Sequence, residues 1–332
     1  MQDDRPFVLV TGGAGYIGSH VVHALTDAGW PVVVVDDLST GRRSAVPEAV
    51  PLIEGDIGDR ALIDAALARH TPIAVMHFAG SIVVPESVTD PLRYYANNTA
   101  ASLTLISACV AAGVDNFIFS STAAVYGEPK RSPVAEDDQT APINPYGSSK
   151  LCTEWILRDT SAATPLRYVA LRYFNVAGAD PDGRTGQSTE KATHLIKVAC
   201  QAALGLRPDM QVFGDDYPTA DGTCVRDYIH VSDLANAHVK ALDYLVAGGD
   251  STVLNCGYGH GFSVRQVLET VREAAEGELS WRIAPRRAGD PPELVSANGR
   301  IREVLGWEPR YDDLRFIVDT AMDWERRLRE ED

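Results

Sequence analysis

This 332-residue chain predicts an α/β fold, a doubly wound parallel sheet with a smaller C-terminal α/β domain. Three observations carry the prediction. Short runs of β-branched residues alternate with helical stretches through the first half, the pattern of βαβ units joined by right-handed crossovers. The first run leads directly into a glycine-rich turn, Gly12-Gly13-Ala14-Gly15-Tyr16-Ile17-Gly18. Finally, Tyr146 and Lys150 stand four residues apart, downstream of the hydroxyl segment Ser120-Ser121-Thr122.

The elements follow in order. Phe7-Val8-Leu9-Val10 reads as a buried strand, followed by the glycine turn and a helix through Val22-His23-Ala24-Leu25 that Gly29 stops. Val32-Val33-Val34-Val35 is a second strand, ending at Asp36. A βαβ unit of this length is Rossmann-like and suits a dinucleotide. The alternation continues with a strand over 52–57, a helix around Arg60–Arg69, a strand over 74–78, a helix around Asn97–Ala112 and a strand over 116–119. After Arg172-Tyr173-Phe174-Asn175 the pattern changes. Residues 176–192 and 214–223 are rich in Gly, Asp, Thr and Pro and read as loops over a cleft. Residues 227–231 look like another strand, with a helix from Ser232 to Val246, and 258–332 reads as short helices and Pro-rich turns. The expected division is a dinucleotide-binding domain over 1–175, its sheet completed by 227–257, and a substrate domain from 176–226 and 258–332. No internal repeat or low-complexity segment interrupts it.

Composition bounds the function. A formal net charge of -16 and a pI near 4.9 disfavour non-specific binding to nucleic acid or anionic membrane, although Arg286-Arg287 forms a local basic cluster. The five cysteines are widely spaced and make no C-x-x-C, so buried free thiols in a reducing compartment are expected, with no metal site. The start of the chain is short and acidic, and no apolar run is long enough to span a membrane. A cytoplasmic location is the expectation.

Gly12, Gly15 and Gly18 have the spacing G-x-x-G-x-x-G, which allows a tight turn and close backbone approach to a pyrophosphate at a helix N-terminus. Asp36 follows about 20 residues on, where a carboxylate accepts hydrogen bonds from the adenosine ribose hydroxyls and repels a 2′-phosphate. NAD is therefore expected over NADP; Asp37 reinforces the preference, while Arg42 and Arg43 leave a phosphate contact open. Asp56-Ile57, at the end of the third strand, suits the adenine amino group and its face; the alternative for Asp56 is a helix N-cap.

On a helix, Tyr146 and Lys150 share a face with Cβ atoms about 5–6 Å apart. An ammonium at that distance is expected to lower the phenol pKa. Such a phenol can exchange a proton with an alcohol or sugar hydroxyl. With a dinucleotide nearby, the chemistry expected is carbinol–ketone redox.

These residues resemble the extended short-chain dehydrogenase/reductase family, and within it the nucleotide-sugar 4-epimerases. The resemblance runs over nearly the whole chain. It covers the glycine turn through Ser19-His20, Phe78-Ala79-Gly80, Phe119-Ser120-Ser121-Thr122-Ala123-Ala124-Val125-Tyr126-Gly127, Tyr146 to Lys150, 171–175, 222–231 and 285–290. It implies NAD-dependent 4-epimerisation of UDP-hexoses through a 4-keto intermediate, with hydride passing to and from a retained NAD. Tyr146 would be the base, Lys150 would depress its pKa and hold the nicotinamide ribose, and Thr122, where the family usually has Ser, would bond the 4-oxygen. Cofactor contacts implied are Gly12, Gly15, Tyr16, Ile17, Gly18, Asp36, Asp37, Leu38, Asp56, Ile57, Phe78, Ala79, Gly80, Asn98, Ser120, Tyr173 and Phe174, together with Tyr146 and Lys150. The 4-keto sugar must turn over while its UDP tail stays anchored. The implied anchors are Asn175, Arg226, Arg287 and Asp290, with Phe213 beside the uracil, besides Thr122, Tyr146, His194, Leu195 and Leu294.

Two departures stand out. Ile82 replaces a Lys that reaches the cofactor in some relatives, and Thr193-His194 replaces an Asn pair, leaving His194 either on phosphate or capping the helix at Leu195. Ala123-Ala124 cannot move a proton, which argues against 4,6-dehydration. A 4-epimerase of UDP-N-acetylhexosamines or UDP-pentoses stays open, because Leu294 is intermediate in size at the position that limits the sugar. A cofactor-binding regulator without chemistry and a plain alcohol dehydrogenase are the remaining alternatives. The helices over 97–112 and 145–159, placed at the sheet edge and carrying Ala100, Ala101, Ala108 and Ala111, are implied to pair across a two-fold axis as a homodimer. Burial against the chain's own sheet is the alternative.

Overall fold

The structure is a computed structural model that describes residues 5–189, 193–208, 210–275, 277–287 and 289–331. Ala288 of the 285–290 motif and positions 190–192 of the expected loop lie outside the described residues. Strands β1 (Val8–Thr11), β2 (Val32–Asp36), β3 (Leu52–Glu54), β4 (Ala74–His77), β5 (Asn116–Thr122), β6 (Arg167–Tyr173) and β7 (Thr252–Cys256) form one sheet. All are parallel, in the order β7-β6-β5-β4-β1-β2-β3. Every residue of β1, β2, β4 and β5 is buried. A sheet covered on both faces selects continuous apolar runs over alternation, the signal visible in the sequence.

Chain order reverses between β1 and β4, so their carboxyl ends splay apart into a crevice. The glycine turn leaves β1 there, and Phe78-Ala79-Gly80 leaves β4 opposite it. One face packs Val8, Val10, Val34 and Met76 against the helices Tyr16–Asp27 and Val231–Val246. The other packs Leu9, Val33, Val75 and Phe117 against the helices Arg60–His70, Ala101–Ala112 and Pro145–Ala163. The last two therefore lie on a face of the sheet, not at the edge where the sequence reading places them. Their inner sides bury Leu105, Ile106, Ala108 and Leu157, while Leu103 and Trp155 point outward.

Four further differences follow. Tyr228–His230 leaves the main sheet and pairs in parallel with Asn175–Ala177. Residues 258–332 include an 18-residue helix, Leu314–Glu331, where short helices were expected. It buries Ile317, Val318, Ala321 and Met322 and is otherwise rich in charge, so its apolar stripe is narrow. Short strand pairs, Met210–Phe213 with Trp281–Ala284 and Val225–Arg226 with Phe262–Ser263 and Glu293–Leu294, carry too few residues for periodicity to register. The helix expected over 97–112 begins earlier, at Pro91, and contains a widened turn over Tyr95–Ala100. All five cysteines are free, Cys152 partly exposed and the other four buried. Among the described residues no helix is long and apolar enough to cross a membrane.

Candidate active site

The glycine turn is built for close backbone approach. Gly12 has φ +71°, and a Cβ there would stand 2.5 Å from the Ala79 nitrogen. A Cβ on Gly18 would fall 2.1 Å from the Gly12 carbonyl oxygen, whereas at Gly15 the nearest atom would be 3.3 Å away. Gly12 and Gly18 thus close the turn, and Gly15, less tightly enclosed, is the N-cap of the helix Tyr16–Asp27. That helix start has no side-chain cap and no acidic residue in its first turn, so its N–H groups and dipole are available to an anion. The donor set fits a dinucleotide pyrophosphate. Tyr16 faces elsewhere, donating its hydroxyl to the Gly178 carbonyl at 2.7 Å, and Ile17 packs on the sheet core.

Asp36 is fixed at the end of β2. Its Oδ2 accepts from Ala14 N at 2.8 Å and its Oδ1 from Leu38 N at 2.9 Å, with Leu38 held at φ +56°. Burial pushes the Asp36 carboxyl above its usual range, and these backbone donors oppose it. Asp37 is exposed and bonds Ser39. Asp56 is exposed and accepts from Gly58 N at 2.7 Å; it is not the N-cap considered from sequence, because Asp59 takes that role for the helix Arg60–His70. Ile57 beside it is buried.

Asn98 is buried and wholly engaged: Oδ1 accepts from Ser81 N at 2.7 Å, and Nδ2 donates to Ser81 O at 2.9 Å and Ser149 Oγ at 3.0 Å. It thereby shapes the loop after Gly80. Phe78 lies 4.7 Å from the His238 ring, which stands 5.6 Å from Tyr173; the Tyr173 hydroxyl hydrogen-bonds Ser120. Sequence reasoning missed His77. Ser102 Oγ gives its proton to Asn98 O, so His77 Nε2 donates to Ser102 at 2.7 Å and Nδ1 accepts from Thr11 at 2.8 Å. This pins β1 and β4 where they flank the crevice. Burial holds the ring neutral, with its pKa down to about 3.

The helix Pro145–Ala163 starts at the Asn144 cap, whose Oδ1 accepts from Gly147 N at 2.8 Å. The Tyr146 hydroxyl faces the Thr122 side chain, which holds its pKa down. Thr122 Oγ1 also accepts from Ala124 N at 3.1 Å, which fixes its rotamer at the end of β5. Lys150 is buried below, its Nζ 3.0 Å from the Ser120 carbonyl and 5.0 Å from the Phe119 ring centroid. The expected lowering of the phenol pKa is not what the protein alone achieves. Burial raises the Tyr146 pKa, the Thr122 side chain partly opposing it, and burial lowers Lys150 to about 8. Desolvation favours the neutral form of both groups, so burial works against an ionised phenol in the protein alone.

The other implied contacts gather in two places. Arg226 donates Nη1 to Val225 O at 2.7 Å and forms an ion pair with Asp290, while the Arg287 guanidinium stacks 3.8 Å from the Phe213 ring centroid. Leu294, on the strand beside Arg226, joins Phe174 against the buried cluster of Val125, Tyr126 and Leu151. Asn175, His194 and Leu195 line a small cavity with Gln187 and Lys197. His194 occupies the N-cap position without capping; its Nδ1 lies 2.7 Å from Gln187 Nε2, and burial lowers its pKa. Sequence reasoning also missed Glu154 and Arg172, although the spacing Tyr146, Lys150, Glu154 repeats every four residues.

The chain is similar to known proteins over nearly its whole length. The model of the NAD dependent epimerase/dehydratase family matches residues 8–257. The chain is 64% identical to a UDP-glucose 4-epimerase of Azospirillum brasilense, covering 97% of this chain and 93% of that one. A UDP-glucose 4-epimerase of Brucella ovis solved in complex with NAD is 46% identical, with TM-score 0.94 over 96% of this chain and 98% of that one. A UDP-glucose-4-epimerase of Stenotrophomonas maltophila, solved with NAD and formylated UDP-arabinopyranose, is 39% identical, with TM-score 0.95 over 99% of this chain and all (100%) of that one. With the glycine turn, Asp36 and the Tyr146–Lys150 pair in place, the chain belongs to the NAD dependent epimerase/dehydratase family.

Proposed function

We propose that this protein interconverts UDP-glucose and UDP-galactose by inverting C4. The observation that carries the reading is the Tyr146–Thr122 hydroxyl pair, set above Lys150 at the crevice where the glycine turn meets the sheet. Bound NAD supplies a reversible hydride acceptor and, when oxidised, the positive charge the phenol lacks. Tyr146 takes the proton of the sugar 4-hydroxyl and returns it after the sugar has turned, while Thr122 holds the 4-oxygen. Lys150 steadies the phenolate. Arg226 and Arg287 suit a pyrophosphate, Asp290 the uridine ribose and Phe213 the uracil face. Asn175 and His194 suit the phosphate or sugar oxygens beside Leu195.

The test is incubation of purified protein with UDP-galactose and no added NAD, followed by separation of the nucleotide sugars. UDP-glucose appearing without accumulated NADH supports the reading; no conversion even with NAD supplied refutes it. Leu294 borders the expected sugar position, so UDP-N-acetylgalactosamine and UDP-arabinose in the same assay set the breadth.

Two coarser features complete the proposal. Leu92, Tyr95, Leu103 and Trp155 are 79%, 38%, 49% and 47% exposed on the outer side of the helices over 91–112 and 145–163. An apolar face of this kind supports a homodimer. Light scattering on Trp155→Glu is expected to show a monomer, and a mass equal to the unmodified protein's refutes that interface. The free thiols support a reducing compartment and hence a cytoplasmic location.

A further inference from the structure

We propose that Glu154, Arg172 and Ser121 form a buried positioning unit that sets the Thr122 hydroxyl against Tyr146, and so governs proton transfer rather than substrate binding; the inference rests on the epimerase reading above. Tyr146, Lys150 and Glu154 follow one another at intervals of four residues on the helix Pro145–Ala163 and share a face. Glu154 and Arg172 are both buried. Arg172 Nε donates to Glu154 Oε1 at 3.0 Å and Nη2 to Oε2 at 2.6 Å, a bidentate pair that fixes orientation as well as distance. Ser121 Oγ donates to the same Oε1. The remaining Arg172 nitrogen, Nη1, donates to Tyr126 OH at 2.9 Å, and Tyr126 donates onward to Asn255 Oδ1 at 2.7 Å.

Each of the three residues of the unit lies close in sequence to an active group. Ser121 precedes Thr122, Arg172 precedes Tyr173, and Glu154 lies one turn beyond Lys150. Side chains alternate along a strand, so Ser121 enters the network while Ser120 and Thr122 face the opposite way, towards Tyr173 and Tyr146. A buried ion pair is a weak source of net stability, because desolvation offsets its attraction. What this one supplies is a fixed relation between β5, β6 and the Tyr146 helix.

The consequence is readable in pH. Tyr146 is faced by Lys150 on its own helix, by Thr122 from β5, by Tyr173 from β6, and by the ring of Tyr94, whose hydroxyl bonds Glu86. Of these, the Thr122 side chain lowers the phenol pKa, and its position depends on where β5 ends. Loosening the unit weakens that effect and raises the pKa.

The experiment uses the full NAD-loaded chain with Glu154→Gln, which keeps the shape and removes the charge, and Ser121→Ala, which leaves the ion pair intact. The kcat, KM for UDP-galactose, pH profile of kcat, thermal midpoint and NAD per chain are measured for each. Expected is a fall in kcat on the order of 10²-fold for Glu154→Gln and about tenfold for Ser121→Ala, with KM changed by less than about twofold. The acid limb of kcat moves to higher pH and NAD content stays equal. Unchanged kcat and profile in either folded variant overturns the proposal. So does a loss of kcat that follows the thermal midpoint or NAD content while the pH profile holds, since that is fold support alone. If Glu154→Gln does not fold, Ser121→Ala decides. An inactive unmodified protein refutes the epimerase reading instead.

Discussion

Replacing Lys150 by Met retains an unbranched stem and removes an ammonium from a site where the residue is 2% exposed. Burial lowers the Lys150 pKa from 10.5 to about 8. That fall corresponds to about 3 kcal/mol of stability withheld whenever the lysine is charged in both folded and unfolded chains. Below pH 8 the full penalty applies. Between about 8 and 10.5 the unfolded chain keeps a proton the folded chain has released, so stability rises with pH, and above 10.5 the penalty is gone. The bond lost to the Ser120 carbonyl costs about 1 kcal/mol. The variant is therefore expected to be about 2 kcal/mol more stable at pH 7, an advantage that disappears towards pH 10.5 while activity is lost throughout. Urea unfolding of the protein freed of NAD, across that pH range, measures it. A variant no more stable at pH 7, or an advantage independent of pH, refutes the reasoning that desolvation dominates at Lys150.

Tyr146→Phe should reduce turnover by a factor on the order of 10²–10⁴ while leaving bound NAD per chain unchanged, because the group removed handles the proton and not the cofactor. Substantial residual epimerisation would remove Tyr146 as the base. Thr122→Ser keeps the hydroxyl and should leave kcat within about threefold; Thr122→Val deletes it, leaves the Ala124 N–H unpaired and should cost about 1–3 kcal/mol in urea unfolding as well as kcat. Equal kcat for both variants would show that the hydroxyl plays no part. Gly18→Ala places a Cβ 2.1 Å from the Gly12 carbonyl oxygen, so the purified variant should carry little NAD; full retention would show that the turn relaxes.

The dinucleotide turn and the Tyr146–Lys150 pair were legible because their geometry is local. A glycine that must admit a carbonyl, and two side chains one helical turn apart, are both determined within a few residues. The parallel sheet was legible for a related reason, since strands buried on both faces declare themselves as unbroken apolar runs. The Arg226–Asp290 pair spans 64 residues and the Glu154–Ser121 bond 33, and no short-range pattern encodes either. Asn98 lay where a cofactor contact was implied, yet only the folded chain shows its amide committed to Ser81 and Ser149. The sign of the Tyr146 pKa also belongs to the tertiary structure. Sequence places a positive charge near the phenol, but the cost of desolvating both groups depends on how the sheet, the Tyr94 ring and the helix close around them, and burial is the largest influence on each.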